Sequence, residues 1–586
     1  MKNLQGKNIK LYKMLKELDN SCEEVEVIST KNGEYTAKLN GKFLHSKYNP
    51  YKEAEKVISN YSIKEKKVVT LFGIGFGYYL EEILKHIKSD TKIFIIEENL
   101  CLLKKLFEIR NFDKMLLNEN IFIYHTSQKF EFIYKLEENL KVGFALDYEV
   151  IVHKVESEFY SKEYNEFISE MKNSLSNNLV NTATIFEFSK MWQKNRFMNL
   201  KNFAKSIPAI SLFNELKNMP AVIVAAGPSL DKNIMYLKWI KNKALIIAVG
   251  TVLKKLLAEG IEPDIIVSVD GGEPNWEHFS RIDYEEIPLA YEPMLNPKIS
   301  SKHKGIKVGF VTQDVVSAWA EKILGEMGFV KSGGTVAISS YDFAIKLGCN
   351  PIILLGQDLA YSGGKSHVSS TVYENDEVKE ESEDIHQMEV LDIFNEKILT
   401  DRKFFTFKQY FERFIAGDKA GNNMLKIIDA TEGGAKISGT EIMTLKDVYF
   451  KYIADKNIDF RKILESKIDT IDFNERLKKI EDGKKDLKSK LIKFLKIVEK
   501  GIKVINKLQK NPNKVFSDKL DKIDIELKKE LEVSFFITYI TQPIISTVIK
   551  EKVNNKDLND ILKSNLKLYK GIKEAVEYTL ECLGEE

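Results

Sequence analysis

The sequence predicts an α/β protein in three parts. These are a Rossmann-like N-terminal domain over residues 1–205, a central doubly wound parallel-sheet domain over 206–452, and an all-helical C-terminal domain over 453–586. Three patterns predict it. In the first part an apolar strand runs into a glycine turn, an amphipathic helix and a second strand ending in acid, as in half of a dinucleotide-type fold. In the second, short wholly apolar strands alternate with helical stretches, the mark of a parallel sheet covered on both faces. In the third, Lys, Glu, Leu and Ile recur at helical spacing with few glycines and two prolines, which predicts a bundle.

Taken in order, VVTLFGIGFGYYLEEILKHI (Val68 to Ile87) supplies the first strand, the turn Gly73-x-Gly75-x-Gly77 and the helix. KIFIIEEN follows, with Glu97 and Glu98 at its end, and Ser189 to Lys205 reads as a helix leading onward. The central strands are AVIVAAG (from Ala221), ALIIAVG (from Ala244), DIIVSVD (from Asp264), IKVGFVTQD and PIILLGQD (ending at Asp358). The polar stretch from Ser362 to Asp384 reads as a surface loop suited to a lid. TFKQYFERFIAG returns to helix, and IIDATEGGAKISGTEIMTL is a turn region rich in small residues. The tail is expected to break at Asn511-Pro512.

Composition narrows the function classes. Hydrophobic residues make up 44% and charged residues 30% of the 586, a globular composition with ample core. Net charge is +2, from 88 basic and 86 acidic residues, so no global field calls for nucleic acid. Cys22, Cys101, Cys349 and Cys582 are dispersed. That spacing argues against a zinc site and a disulfide framework, and for a reducing, cytoplasmic setting. The N-terminus lacks a signal-peptide core, and no apolar run suggests membrane insertion. Oligomeric state is left open.

Chemistry concentrates at the ends of the central strands, where open parallel sheets bind ligands. In AAGPSLDKN, Gly227 lets a phosphate approach the backbone, and Pro228 and Ser229 lead into a helix start with free amides. The absence of a Lys-Ser/Thr pair excludes a Walker loop, and an ordinary turn with an N-cap serine has the same residues. Asp270, in SVDGGEPNW, fits a ribose, metal or sugar contact and equally a turn cap. Ser332, Gly333, Gly334 and Thr335 open a helix of small residues, a second cradle for phosphate or carboxylate. Gly356, Gln357 and Asp358 end a strand, and Tyr361 and His367 lie just beyond, His367 suited to proton transfer near neutral pH. The Gly73–Gly77 loop superficially matches a methyltransferase first motif, but Phe76, Tyr78 and Tyr79 crowd it, favouring a structural role.

The succession AAGPSLDKN, IIAVGTVLKKLLAEGIEPDIIVSVDGG, SGGTVAISSYDFAIKLGCNPIILLGQDLAY and IDATEGGAKISGTEIMTL resembles the central domain of motility accessory factors, bacterial flagellin glycosyltransferases. The resemblance extends to the layout of the flanking regions. It is similar, more distantly, to bacterial sialyltransferases using CMP-activated nonulosonic acids. That similarity implies nucleotide contact at Gly227 and Ser229, and donor contact at Ser332, Gly333 and Gly334. It further implies a strand-end group of Gly356, Asp358, Tyr361 and the base His367. Where those sialyltransferases carry Asn, this chain reads Val249-Gly250-Thr251, leaving Thr251 to make the contact. The implied reaction moves pseudaminic, legionaminic or a related acid from its CMP donor to Ser or Thr of flagellin, with no metal or other cofactor. An archaeal pterin diphosphokinase group resembles the same domain and supplies the alternative, as does a non-catalytic flagellin chaperone.

Overall fold

The computed structural model describes residues 1–18, 22–110, 112–139, 148–312, 314–362, 387–511, 514–554 and 557–584. It divides into two compact units, Met1–Ile185 and Phe186–Glu586. The expected lid loop lies outside the described residues, and His367 with it.

The first unit carries an antiparallel sheet of β1 (Val25–Ser29), β2 (Tyr35–Leu39) and β3 (Lys42–Phe43). Its centre is a parallel sheet ordered β6-β5-β4-β7, from β4 (Val68–Phe72), β5 (Lys92–Glu97), β6 (Ile121–His125) and β7 (Tyr148–Val152). All five residues of β4 are buried, as a central parallel strand requires. Helix α1 (Tyr78–His86) starts directly after the glycine turn, and α2 (Leu100–Ile109) is capped by Asn99, whose side chain accepts from Leu102 N–H. One expectation is overturned here: Cys22 and Cys101 form a disulfide, with Cα atoms 5.4 Å apart. Sequence distance hid the pair, because packing of the first turn of α2 against β1 closes a separation of 79 residues.

Helix α3 (Ser161–Ala204) leads into the second unit. There β8 (Ile207–Pro208), β9 (Ala221–Val224), β10 (Leu245–Val249), β11 (Ile265–Ser268), β12 (Leu289–Tyr291), β13 (Lys307–Gly309), β14 (Ile352–Leu355), β17 (Ile427–Asp429) and β18 (Glu441–Ile442) form one sheet. Its order is β18-β17-β14-β9-β10-β11-β12-β13-β8, and every pairing is parallel. A separate hairpin joins β15 (Gln387–Leu391) to β16 (Lys397–Asp401). The period of two along each strand divides the apolar residues between two cores. Ile265, Val267 and Ala290 face one core, whereas Ile266, Leu289 and Tyr291 face the other.

The helices flanking the sheet include α4 (Val315–Leu324), α5 (Val336–Lys346) and α6 (Arg402–Gly421). The tail is α7 (Phe473–Lys510), α8 (Lys514–Lys529), α9 (Leu531–Asn554) and α10 (Leu558–Gly584), and α7 stops at the expected break beside Asn511. Ile480, Leu487, Leu491 and Val576 of this tail share the core of Ile266 and Leu289. The tail helices pack mainly on one another, and through α4 their core runs on into the one beneath that sheet face. Among the described residues no single helix is long and apolar enough to cross a membrane.

Candidate functional site

The chain order across the large sheet fixes where a crevice opens. From β9 it proceeds outward through β10, β11, β12 and β13, then returns to lay β14, β17 and β18 on the other side of β9. The turns after β9 and β14 thus leave in opposite directions, and the gap between them at the carboxyl edge is a topological switch point. Gly227–Ser229 and Gly356–Asp358 lie there.

Asp358 joins the two turns. Its carboxylate accepts from the Ser229 hydroxyl at 2.6 Å and from the Ser229 amide at 3.2 Å, while the Gly227 amide donates to the Gly356 carbonyl at 2.7 Å. A Cβ at Gly227 would overlap the Asp358 carboxylate and the Gly356 carbonyl, so the close approach demands glycine. Gly356 itself has φ +64°, with no room for a side chain beside the Ala225 carbonyl. Burial pushes the Asp358 carboxyl above its ordinary value, opposed by the bonds from Ser229. Pro228 opens the short 3-10 turn that presents Ser229.

A third turn, after β17, was missed as part of the site. Burial raises Asp429 to about 6, and its Oδ1 accepts from Thr431 N–H at 3.1 Å. The Thr431 hydroxyl accepts from Gln357 N–H at 3.2 Å, and Ala435 N–H donates to the Asp358 carbonyl at 2.7 Å. Asn233 donates to the Ala430 carbonyl and to Glu432 at 3.0 and 3.1 Å. Gly433 and Gly434 leave space for Ser229 and for the Asp358 backbone, where any Cβ would collide. The signal was present in the DATEGG run, an acid at a strand end followed by two glycines. Leu359 at φ +48° and Glu432 at φ +60° are non-glycine residues in the left-handed region, one after each of β14 and β17. Such strain persists only where surroundings enforce it. At Leu359 the enforcement is visible: its carbonyl accepts from the Thr400 hydroxyl at 2.9 Å, and Tyr361 N–H donates to Leu399.

Ser332–Thr335 reach the same edge by way of α5, which packs beneath β9, β10, β11 and β14. Because α5 ends just before β14 begins, it runs antiparallel to the strands and opens its N-terminus at their carboxyl ends. Thr335 is its N-cap and makes no side-chain cap bond, whereas Asp314 and Asp401 cap α4 and α6. Uncapped first-turn amides and the helix dipole suit an anion. Ser332 and Gly334 are exposed and Gly333 is buried. Gly334, at φ +75°, packs where a Cβ would lie 3.0 Å from the Phe407 ring. Two acids that sequence reasoning passed over hold this segment. Buried Asp342 accepts from Lys331 N–H at 2.9 Å, and Asp418 binds Lys331 Nζ at 3.0 Å and the Tyr341 hydroxyl at 3.1 Å. The sign of Asp342 in the sequence is a lone acid in a helix of mostly small and apolar residues.

The remaining expected residues are less convergent. Tyr361 donates its hydroxyl to Asp401 at 2.7 Å. Thr251 is half-buried in the turn after β10. Asp270 is exposed and accepts from Gly272 N–H at 2.8 Å, the geometry of a turn cap. Among the described residues no group of three or more His, Cys, Asp or Glu is placed to hold a metal ion.

In the first unit the Gly73–Gly77 turn is filled from within. Ile74 N–H donates to Glu97 at 2.9 Å, Gly75 N–H to Glu156 at 2.6 Å and Phe76 N–H to His45 Nε2 at 2.9 Å. Burial raises both carboxyls, and at Glu156 the Glu97 charge raises it further; burial also holds His45 well below its ordinary value.

Comparison with known proteins agrees with this architecture. The family model described as 6-hydroxymethylpterin diphosphokinase MptE-like matches residues 194–364. An uncharacterised protein of Treponema pallidum is 23% identical over 216 residues, covering 36% of this chain and 72% of that protein. Another from the same organism is 21% identical over 245 residues, 42% of each chain. The solved MAf glycosyltransferase of Magnetospirillum magneticum superposes with a TM-score of 0.62 at 14% identity, covering 100% of this chain and 96% of that one. The chain shares that protein's fold from end to end.

Proposed function

We propose that the protein is a glycosyltransferase that moves a nonulosonic acid, pseudaminic, legionaminic or related, from a CMP donor to Ser or Thr of flagellin. The transfer takes place in the cytoplasm and serves flagellum assembly and motility. The observation that carries this reading is the joining of Gly227–Ser229 to Gly356–Asp358 at the switch point, with the uncapped N-terminus of α5 opening toward the same sheet edge. It occurs in a chain with the fold of a glycosyltransferase.

The donor's anomeric carbon is tertiary, so cleavage builds oxocarbenium character while CMP departs with the bonding pair. The chain then has to position the donor, stabilise phosphate and carboxylate, and deprotonate the acceptor hydroxyl. The α5 amides with Ser332, Gly333, Gly334 and Thr335 take the anionic groups. The Ser229 hydroxyl donates a hydrogen bond to Asp358, which leaves its oxygen to accept from a ligand donor. Gly356 and Gln357 border the nucleotide. Thr251 and Asp270 flank it on the β10 and β11 side. Tyr361 stabilises the departing phosphate by exchanging Asp401 for it. His367 is the assigned base, and no metal takes part.

The second reading is diphosphate transfer from ATP–magnesium to a hydroxymethylpterin, favoured by the family match over 194–364. Calorimetry with CMP and with ATP–magnesium, on wild type and Ser229→Trp, separates the two. CMP binding lost in the variant is the expected outcome. Binding of ATP–magnesium without CMP moves the assignment to the diphosphokinase.

A further inference from the structure

The turn after β17 carries hydrogen-bond donors that the chain does not use. Thr431 N–H is taken by Asp429 Oδ1 at 3.1 Å, and Ala435 N–H by the Asp358 carbonyl at 2.7 Å. Between them, the amides of Glu432, Gly433 and Gly434 make no hydrogen bond among the described residues. Glu432 and Gly433 are half-buried, so this stretch of backbone meets solvent and its donors are open to a ligand.

The backbone supplies the shape. Glu432 at φ +60° and Gly434 at φ +76° are left-handed, and Gly433 between them is not. Alternation of this kind turns successive N–H groups toward a common point, the basis of an anion-binding nest. The Glu432 carboxylate is engaged elsewhere, accepting from Asn233 Nδ2 at 3.1 Å and from Leu445 N–H at 3.0 Å.

A cation stands beside these amides. Lys232 is exposed, and its ammonium donates to the Glu432 carbonyl at 2.9 Å. That bond uses one of the three N–H donors of an ammonium. A Cβ on Gly433 would lie 3.6 Å from Lys232 Nζ and would overlap the Ser229 hydroxyl, so ammonium and hydroxyl flank the same glycine. Open amides next to an ammonium suit a compact oxyanion such as phosphate.

We propose that the Glu432–Gly434 amides and Lys232 Nζ form the phosphate seat of the switch point and bind the phosphate of the nucleotide that approaches Gly227–Ser229. The assignment rests on the reading of that crevice as a nucleotide site. It makes Lys232 the residue that tells a nucleotide from a nucleoside, and it leaves the α5 N-terminus to the carboxylate of the donor.

The test is calorimetry on the full chain with CMP and with cytidine, joined to hydrogen exchange across residues 430–436. Wild type should bind CMP about tenfold or more tighter than cytidine. Lys232→Gln, an exchange at an exposed position, should cut CMP affinity about tenfold and leave cytidine within about twofold, which also reports that the variant is folded. CMP, and not cytidine, should slow exchange across 430–436. A preference for CMP that Lys232→Gln leaves unchanged would overturn the proposal, as would an equal loss of both ligands or exchange that CMP fails to slow. If wild type binds ATP–magnesium in place of CMP, the cytidylate reading falls and the same contrast against adenosine decides the seat. Binding of none of these ligands removes the nucleotide reading and the seat together.

Discussion

Two glycine turns follow buried parallel strands in this chain, one after β4 and one after β9, and they end in different environments. From Gly73 to Leu80 every residue is buried, and the amides of Ile74, Gly75 and Phe76 are taken by Glu97, Glu156 and His45. Gly227 and Pro228 are half-buried, and the neighbouring cradle exposes Ser332 and Gly334. A strand, a glycine turn and a helix therefore do not make a ligand site by themselves. What matters is whether the turn meets solvent and whether the chain has already supplied the anions. In the first unit two carboxyls occupy the ground a phosphate would need. At the switch point one carboxyl, Asp358, joins two turns, while the α5 N-terminus carries no side-chain cap.

The largest effects should come from the glycines themselves. Gly75→Ala sets a Cβ against His45 Nε2 and 2.9 Å from His153 Nε2, at φ +54°. It should cost the first unit about 3 kcal/mol or more. Hydrogen exchange should report the loss in peptides before Ile185, with CMP binding unchanged. Gly227→Ala overlaps Asp358 and the Gly356 carbonyl. It should cost about 2–4 kcal/mol in the second unit and remove CMP binding. CMP binding lost in Gly75→Ala and kept in Gly227→Ala would invert the comparison.

Next in size are the buried acids. The fold favours the acid form of both Glu156 and Asp429, so the stability each contributes is complete below its ordinary value and declines as pH rises through the raised one. Asp429, raised from 3.8 to about 6, has the better-defined window. Asp429→Asn retains the Oδ1 acceptor for Thr431 and should raise stability above pH 6 by roughly 1–3 kcal/mol, with little gain near pH 4. Glu156→Gln should act in the same direction in the first unit, its amide standing in for the protonated carboxyl facing Glu97. Urea unfolding of each variant across that pH range reads the effect, and a gain equal at both ends would mean that charge burial is not its source.

The sequence made the strand ends legible because their apolar runs and glycines are local. Ser229, Gly356 and Asp358 sit at such ends, and the switch point brings them together. What stayed hidden depends on long-range packing. His45 and Glu156 reach the first turn from 31 and 81 residues away, and Cys22 meets Cys101 across 79. The support of α5 by Asp342 and Asp418, and the shared core beneath the tail, arise from the same cause. Periodicity identifies which face of a helix is apolar, but not which sheet it covers.

Asp270 gives the smallest expected effect and the finest test of the comparison. It stands at the carboxyl end of β11, where strand position alone favours ligand contact, yet its side chain is exposed and its Oδ1 already caps Gly272. The Asp270 carbonyl, bonded by Asn275 at 2.7 Å and by Asn296 N–H, holds the turn whichever side chain is present. Asp270→Asn preserves the Oδ1 acceptor and removes only the charge. A carboxylate used as a cap should lose about 0.5 kcal/mol and leave CMP affinity within about twofold. A carboxylate that reaches a ribose or sugar hydroxyl should lose about tenfold in affinity, because a charged acceptor is worth more than a neutral one. Calorimetry on this one variant therefore tells whether the ligand extends from the β9–β14 gap as far as β11 or ends at the turn that Asp358 closes.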